Sequence, residues 1–397
     1  LLYNFDPVQV RYAGVAFQNI YQGVVMTAEQ TGDSAVAIHI LHSVILRLDP
    51  TSSTLTPAHY SFIRLCLGAR AFAEGADILN NPITSLPFDT DKSTLARSYK
   101  YICSEQQSSA IYLTYQNGLN VKWTYRQYLE YFLMGAMIHM GLRQFAKAKF
   151  YLEVVLCTPT SNPTATSLVQ VEAYKKWVLV NLLLKGHSSP TPRGISNGTL
   201  KTIRALSKAY DCLVEAFKSN NLSHFRAELD FGQKLWQDDN NWGLVVELYH
   251  AFRKFQVQRL GNTFAALPIT EVAARTCPEP IGLDETTNYI TRLIATGDLN
   301  AVLSTSPSSG QPTLRFLGSA TSSTKTEEQI AQSLSYQRAE LQNLLRAISN
   351  NDHRLEISKE YIDMLKRLKK GKEAGVQGVE VRQLAVEDAD EDMMVDM

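Results

Sequence analysis

The sequence predicts a mostly α chain: an α-solenoid of TPR-like helical repeats, then a winged-helix subdomain, then one C-terminal helix suited to a helical bundle. Three observations predict it. Gly68-Ala69-Arg70-Ala71-Phe72-Ala73 and Gly141-Leu142-Arg143-Gln144-Phe145-Ala146 share the pattern G-x-R-x-F-A, 73 residues apart. A short helix, a second short helix and a strand pair follow a longer helix in residues 243–317. Leu334, Leu341, Ile348, Leu355 and Ile362 then recur every seven residues.

The echo marks the repeats. Each copy sits between two apolar-periodic segments, where a helical pair turns back on itself. The separation is about two units of tetratricopeptide size, roughly 34 residues or slightly more each. Residues 10–48 hold two helices, the second from Ser34 to Leu48 behind a Thr-Gly-Asp turn that caps it. Residues 57–80 form a hairpin closed by Asn80-Asn81-Pro82, and 93–117 are helical with a looser pattern. Tyr128 to Leu142 and Gln144 to Thr158 form the second clear hairpin. Its first helix is apolar almost all round, so it belongs between neighbours in a stack. A helix follows from Leu168 to Lys185, and residues 187–199 form a Pro/Gly/Ser loop expected to be exposed and mobile.

Residues 200–242 carry two short helices, with turns at Asn220-Asn221 and 238–241, and 243–266 read as one long helix or two abutting ones. Thr270 to Cys277 is a short helix stopped by Pro278 and Pro280. Asp284 to Ala295 is another, with Asp284 as N-cap and Gly297 as its stop. Leu299 to Ser304 and Thr313 to Leu317 read as strands around a Ser/Gly/Pro loop, which completes the order of a winged helix. An open strand edge is expected near Leu314 and Phe316, where a neighbouring chain could extend the sheet.

The last helix has its own logic. Ile330, Leu344, Leu345 and Leu365 fill positions beside the seven-residue series. Such a period makes an apolar seam that must pack against other helices, with Asn350-Asn351-Asp352 as a possible interruption. Residues 374–397 hold seven acids against one Arg and read as a disordered tail. The expected division is 1–190 for the repeats, 191–320 for the domain carrying the winged helix at about 258–318, 321–371 for the bundle helix, and 372–397 for the tail.

Composition excludes more than it suggests. Lys and Arg number 39, as do Asp and Glu, so formal net charge is zero, which argues against a nucleic-acid or membrane-surface protein. The longest apolar runs are too short to span a bilayer. The chain opens on Leu1 rather than Met, so its true start is expected upstream, and no signal peptide is visible in what remains. The five cysteines lie 37, 54, 55 and 65 residues apart, with no zinc spacing, and read as small core residues in a reducing compartment.

No catalytic constellation stands out, and no cofactor or metal site is expected. His39 and His42 share a helix face, but no H-E-x-x-H surrounds them and apolar neighbours suit half-buried positions better. No P-loop or dinucleotide fingerprint occurs, and no H-x-H. The second winged-helix element carries Asp284 and Glu285, and the wing 306–312 has no Lys or Arg, which disfavours DNA reading. Lys366-Arg367-Leu368-Lys369-Lys370-Gly371-Lys372 reads first as a solvated helix end and second as a nuclear-localisation or nucleic-acid patch.

The plan as a whole resembles the PCI-domain family. Arg259-Leu260 through Leu267, then Ile269-Thr270-Glu271-Val272-Ala273, is similar to the family's helix leading into a short helix. Asn288 through Leu299 is similar to its apolar stretch ending in Ile, two residues, Gly and a strand. Within the family, Tyr131 through Phe145, Glu172 through Val180 and Asp239 through Val245 resemble the third-subunit branch of the constitutive photomorphogenesis 9 signalosome. The likeness is good over about 128–320 and weak before 120.

That resemblance implies a non-catalytic scaffold. The complex removes a ubiquitin-like modifier from cullin-type ubiquitin ligases (deneddylation), and a metal-dependent subunit other than this one carries the protease. The implied partners are the other PCI and metalloprotease-type subunits, with cullin ligases reached through the assembled complex, in cytoplasm and nucleus. Neither nucleic acid nor membrane is expected. PCI subunits join through their winged-helix sheets, which assigns an interface role to Val302, Leu303, Leu314 and Phe316. Their C-terminal helices form a bundle, which assigns one to Ile330, Leu334, Leu341, Leu345, Ile348, Leu355, Ile362 and Leu365. The same architecture occurs in the proteasome lid, in translation initiation factor three and in nucleic-acid-binding PCI adaptors, which stand as alternatives.

Overall fold

The computed structural model describes residues 1–86, 109–159, 166–219, 221–276, 283–305, 312–317, 327–357 and 361–367. The chain divides into two compact units, Leu1–Leu317 and Gly318–Met397.

In the first unit consecutive helices pack in pairs: Gly14–Thr31 on Ser34–Leu48, Pro57–Ala69 on Phe72–Leu79, and Tyr125–Gly141 on Phe145–Cys157. Helix Leu168–Lys185 packs against both Phe145–Cys157 and Trp242–Leu260. Local chemistry sets the boundaries. The Asp33 carboxylate accepts from the Ala35 N–H at the start of Ser34–Leu48. Thr124 with Gln127, and Ser167 with Gln170, form capping boxes that satisfy orphan amides at two helix starts.

The two G-x-R-x-F-A copies are one turn built twice. Arg70 and Arg143 are both left-handed, at φ 58° and 59°. The next residue's N–H reaches five residues back in each, from Ala71 to Cys66 and from Gln144 to His139, both at 2.9 Å. These are Schellman turns with Arg where Gly is usual. The copies also touch. A Cβ on Gly141 would lie 2.8 Å from the Phe72 ring, so the ring of one copy occupies the space that glycine leaves in the other. Nearby, a Cβ on Gly135 would meet Tyr151 at 2.9 Å and Leu79 at 3.1 Å. The Tyr151 hydroxyl donates to the Leu79 carbonyl at 2.6 Å, which satisfies an end carbonyl of the first hairpin.

One apolar core runs from Leu2 to Phe255, with Trp177, Tyr210, Trp236, Phe217 and Phe252 deep in it. A second core, Val257 to Leu314, belongs to the winged helix. Helix Trp242–Leu260 contributes to both.

The winged helix runs β1 (Ala266–Pro268), helix Ile269–Thr276, helix Leu283–Ala295, β2 (Ala301–Thr305) and β3 (Pro312–Phe316). The three strands are antiparallel in the order β1-β3-β2. Leu314 faces Leu267 on one side and Leu303 on the other. The second unit carries helix Glu327–Ile357, 31 residues or about 46 Å long, and a helical stretch over 361–367.

Several expectations need correction. The region 200–242 holds four helices rather than two: Asn197–Leu206, Lys208–Lys218, Leu222–Phe231 and Gln233–Asp238. The first starts inside the supposed loop, because the Ser196 side chain accepts from the Thr199 N–H. The remaining loop is anchored, with Ser189 and Ile195 buried. The long helix ends at Leu260 rather than at 266, and Ala266–Pro268 is a strand. Helix Leu283–Ala295 begins before Asp284, which therefore sits in its first turn rather than capping it. Asn350-Asn351-Asp352 does not interrupt the C-terminal helix. Cys66 is buried as expected but Cys212 is exposed, and Cys103 and Cys277 lie outside the described residues. Most of 93–117 and the wing 306–311 lie outside them too, as does the acidic tail.

Candidate interaction surfaces

The seam on Glu327–Ile357 is open. Ile330, Leu334, Leu341, Leu345, Ile348 and Leu355 are 46–59% exposed, and Ile362 and Leu365 are exposed as well. Lettering the heptad with Leu334 as a puts Leu341, Ile348, Leu355 and Ile362 at a. Ile330, Leu344 and Leu365 then fall at d, along with Gln337, Asn351 and Ser358. Within Glu327–Ile357 the d positions alternate apolar and polar, and Ser358 beyond it is polar as well; polar residues in such a seam help to fix its register. A straight α-helix drifts about 20° per heptad against such a pattern, so a covering helix must wrap it left-handed.

The winged-helix sheet offers an edge, at a different place from the one expected. β3 is the middle strand, and Leu314 is fully buried between its two neighbours. The open edge therefore cannot lie at Leu314 and Phe316, since both ladders of that strand are occupied. β2 and β1 are the outer strands. Val302 is 49% exposed and Leu303 half-buried. The Phe316 N–H donates toward β1 at Ala265 and the Leu317 N–H toward β2 at Asn300. Alternation along an antiparallel pair then turns the Leu303 N–H away from β3, outward.

Two stretches quoted for the resemblance meet in space. Lys175 Nζ binds both carboxylate oxygens of Asp239, at 2.7 and 2.8 Å. Lys176, only 3% exposed, donates to Asn241 Oδ1 at 2.9 Å and pairs with Glu172 at 3.2 Å. The Asn241 amide donates to the Tyr210 hydroxyl at 2.7 Å, which donates in turn to Asp239 at 2.8 Å. Burial, with Asp239 accepting, drives the Tyr210 hydroxyl's pKa well above the usual phenol range and keeps it a neutral donor. A buried lysine is tolerable only when its charge is met, and here an amide oxygen and a carboxylate meet it. The network ties helix Leu168–Lys185 to the start of Trp242–Leu260, the helix that carries the winged helix. Sequence reading saw these motifs only as a likeness, because the 65-residue separation of Lys176 and Asn241 carries no local signal.

His42 pairs with Asp77 at 2.8 Å, and His39 is exposed. Among the described residues no group of His, Cys, Asp and Glu could hold a metal ion, and no helix is long and apolar enough to cross a membrane.

A helical-repeat family model, described as COP9 signalosome complex subunit 3, N-terminal helical repeats, matches residues 1–197. The COP9 signalosome complex subunit 3 of Emericella nidulans is 31% identical over 400 residues, which cover 100% of this chain and 79% of that protein. The chain belongs to the COP9 signalosome subunit 3 family. The subunit 3 of Drosophila melanogaster is 26% identical over 293 residues, covering 74% of this chain and 61% of that protein. Subunit 3 is a PCI-type, non-catalytic subunit of the deneddylating complex, and that membership bears out both the resemblance and the expectation of a non-enzyme. The proteasome-lid and initiation-factor alternatives give way to it.

Proposed function

We propose that this chain serves as a scaffold within the signalosome, joining neighbours through two surfaces: the seam on Glu327–Ile357 and the β2 edge of the winged helix. The observation that carries this reading is the seam. Six large aliphatic side chains lie 46–59% exposed along a single helix, four of them seven residues apart. Burying each would be worth roughly 1.5–3 kcal/mol, so the uncovered helix favours association. Ile362 and Leu365 extend the seam. At the sheet, Val302 and Leu303 carry the contact, while Leu314 and Phe316 support it from within. The repeats of 1–190, the PCI domain of 191–320, the bundle helix of 321–371 and the tail of 372–397 then divide the work between holding shape and making contacts. The partners are other PCI and metalloprotease-type subunits, with cullin ligases reached through the whole complex, in cytoplasm and nucleus. The zero net charge supports a protein partner over nucleic acid.

Affinity purification of the tagged chain from its own cells, with mass spectrometry and a cullin demodification assay on the eluate, tests the proposal. A metalloprotease subunit with activity should co-purify, and both should be lost on deleting residues 326–371. Retention of both without that segment would sink the seam as the joining surface. For the sheet, Leu303→Pro should weaken one neighbour while the winged helix stays folded, since Pro is tolerated where a strand N–H faces out. Unchanged subunit recovery would rule that edge out.

A further inference from the structure

A cavity of about 680 Å³ lies between the last helices of the stack and the winged helix, all within the first unit. Its charge is one-sided. Arg226, His250, Arg253, Lys254 and Arg292 line it, and Asp298 is the one carboxylate among the described residues that do. Asp298 is already committed: Lys254 Nζ binds it at 3.0 Å and the Thr296 hydroxyl donates to it at 2.9 Å. Burial alone would raise the pKa of this carboxyl, and those two bonds outweigh burial and hold it below the usual range. It therefore does not offset Arg253 and Arg292.

Arg253 is the unusual member. Its guanidinium lies 4.4 Å from the centre of the Tyr289 ring, so a π-face meets the cation. Its Nε and Nη2 are shielded from water and lack a hydrogen-bond partner among the described residues. A shielded guanidinium nitrogen without an acceptor is costly, and a carboxylate is the group that matches its fork. The other walls are apolar: Leu222, Ala251, Leu293 and the ring of Tyr249. We propose that this cavity is a docking site for an acidic peptide segment of a partner protein, one that brings carboxylates to Arg226, Arg253 and Arg292 and an apolar side chain to Leu222, Tyr249 and Leu293.

Charge complementarity selects that occupant. A nucleic-acid backbone needs cations spread along a stripe, whereas these converge on one mostly apolar cavity. The winged-helix element beside it also carries Asp284 and Glu285 in its first turn, which would repel phosphates. No residue of the seam or of the β2 edge takes part in it, so it stands or falls separately from the scaffold reading.

Fluorescence anisotropy on the whole chain tests it, using a short labelled peptide of Glu and Asp around one Leu. A Lys-for-acid peptide and a single-stranded oligothymidylate serve as the other probes. The acidic peptide should bind, and Arg226→Glu with Arg292→Glu should weaken it about tenfold or more at unchanged unfolding temperature. Arg253→Gln gives a second variant should the double change fail to fold, with a loss of similar size expected. No binding of the acidic peptide would overturn the proposal, as would equal affinity in the variants or tighter binding of the oligonucleotide.

Discussion

Helices Leu168–Lys185 and Glu327–Ile357 treat their apolar residues in opposite ways. The first buries Val171, Ala173, Tyr174, Trp177, Leu179, Val180 and Leu182 on all its faces, because helices of its own chain surround it. The second exposes every leucine and isoleucine of its seam for which a position is described. Both are rich in the same residue types, so burial is decided by what the chain itself provides as a neighbour. A helix apolar all round finds its core locally, while a helix apolar along one stripe is half of an interface.

The contrast can be broken from either side. The largest effect should come from Leu341→Asp with Ile348→Asp. Two carboxylates in a covered seam would each cost several kcal/mol, so the chain should drop out of its assembly in a pull-down. The thermal unfolding of the repeats should not change, and a shifted transition would mean that the seam serves the fold instead. Gly135→Leu tests the opposite case, the interior of the stack. The close approach of Tyr151 and Leu79 leaves no room, and urea unfolding should show a loss of about 3 kcal/mol.

Next in size is Lys176→Met. It removes the cation and leaves Asn241 Oδ1 without its donor, for a loss of about 2 kcal/mol in the same assay. A gain would mean that desolvating the lysine outweighs its bonds.

His59 gives a pH signature. Burial, opposed by the Asp49 charge, lowers its pKa from 6.5 to about 4. Between those values the unfolded chain binds a proton that the folded chain refuses, so stability is full above about 6.5 and falls as pH drops toward 4. By about pH 5.5 the loss should reach about 1.4 kcal/mol. His59→Gln should flatten that slope, and an identical slope in the variant would assign the acid sensitivity elsewhere. The smallest effect belongs to the turn motif. Arg70→Gly relieves a left-handed non-glycine residue and should add about 0.5–1 kcal/mol. Arg143→Gly should add less, since Arg143 also pairs with Glu247.

Elements with local signals were legible. Ser34–Leu48 and Leu168–Lys185 were readable to the residue, because an acceptor side chain caps each start and a clear stop follows. Helix Tyr125–Gly141 begins three residues earlier than periodicity suggests, and the Thr124–Gln127 capping box was the available sign. Strand β1 could not be read locally. It is three residues long, and its partner lies almost fifty residues away in β3, so nothing nearby distinguishes it from a helix end. That missed strand is also why the open edge was assigned to Leu314 and Phe316: two strands make two edges, and the third turned one of them into the middle of the sheet. The seam was legible because a seven-residue period is a property of the sequence alone. The cluster of arginines around the cavity was not, because it assembles from three helices.

The alternation of apolar and polar d positions makes the C-terminal helix a ruler. Gln337 and Asn351 stand fourteen residues apart, about 21 Å along the axis. Any helix that covers the seam must bring polar groups at that same interval. Sliding it by one heptad, about 10 Å, would set Gln337 against an aliphatic layer and strand its amide there. Mispairing by one heptad is thus penalised within the helix itself, and the geometry of joining can be checked by the seam before any other surface has met its neighbour.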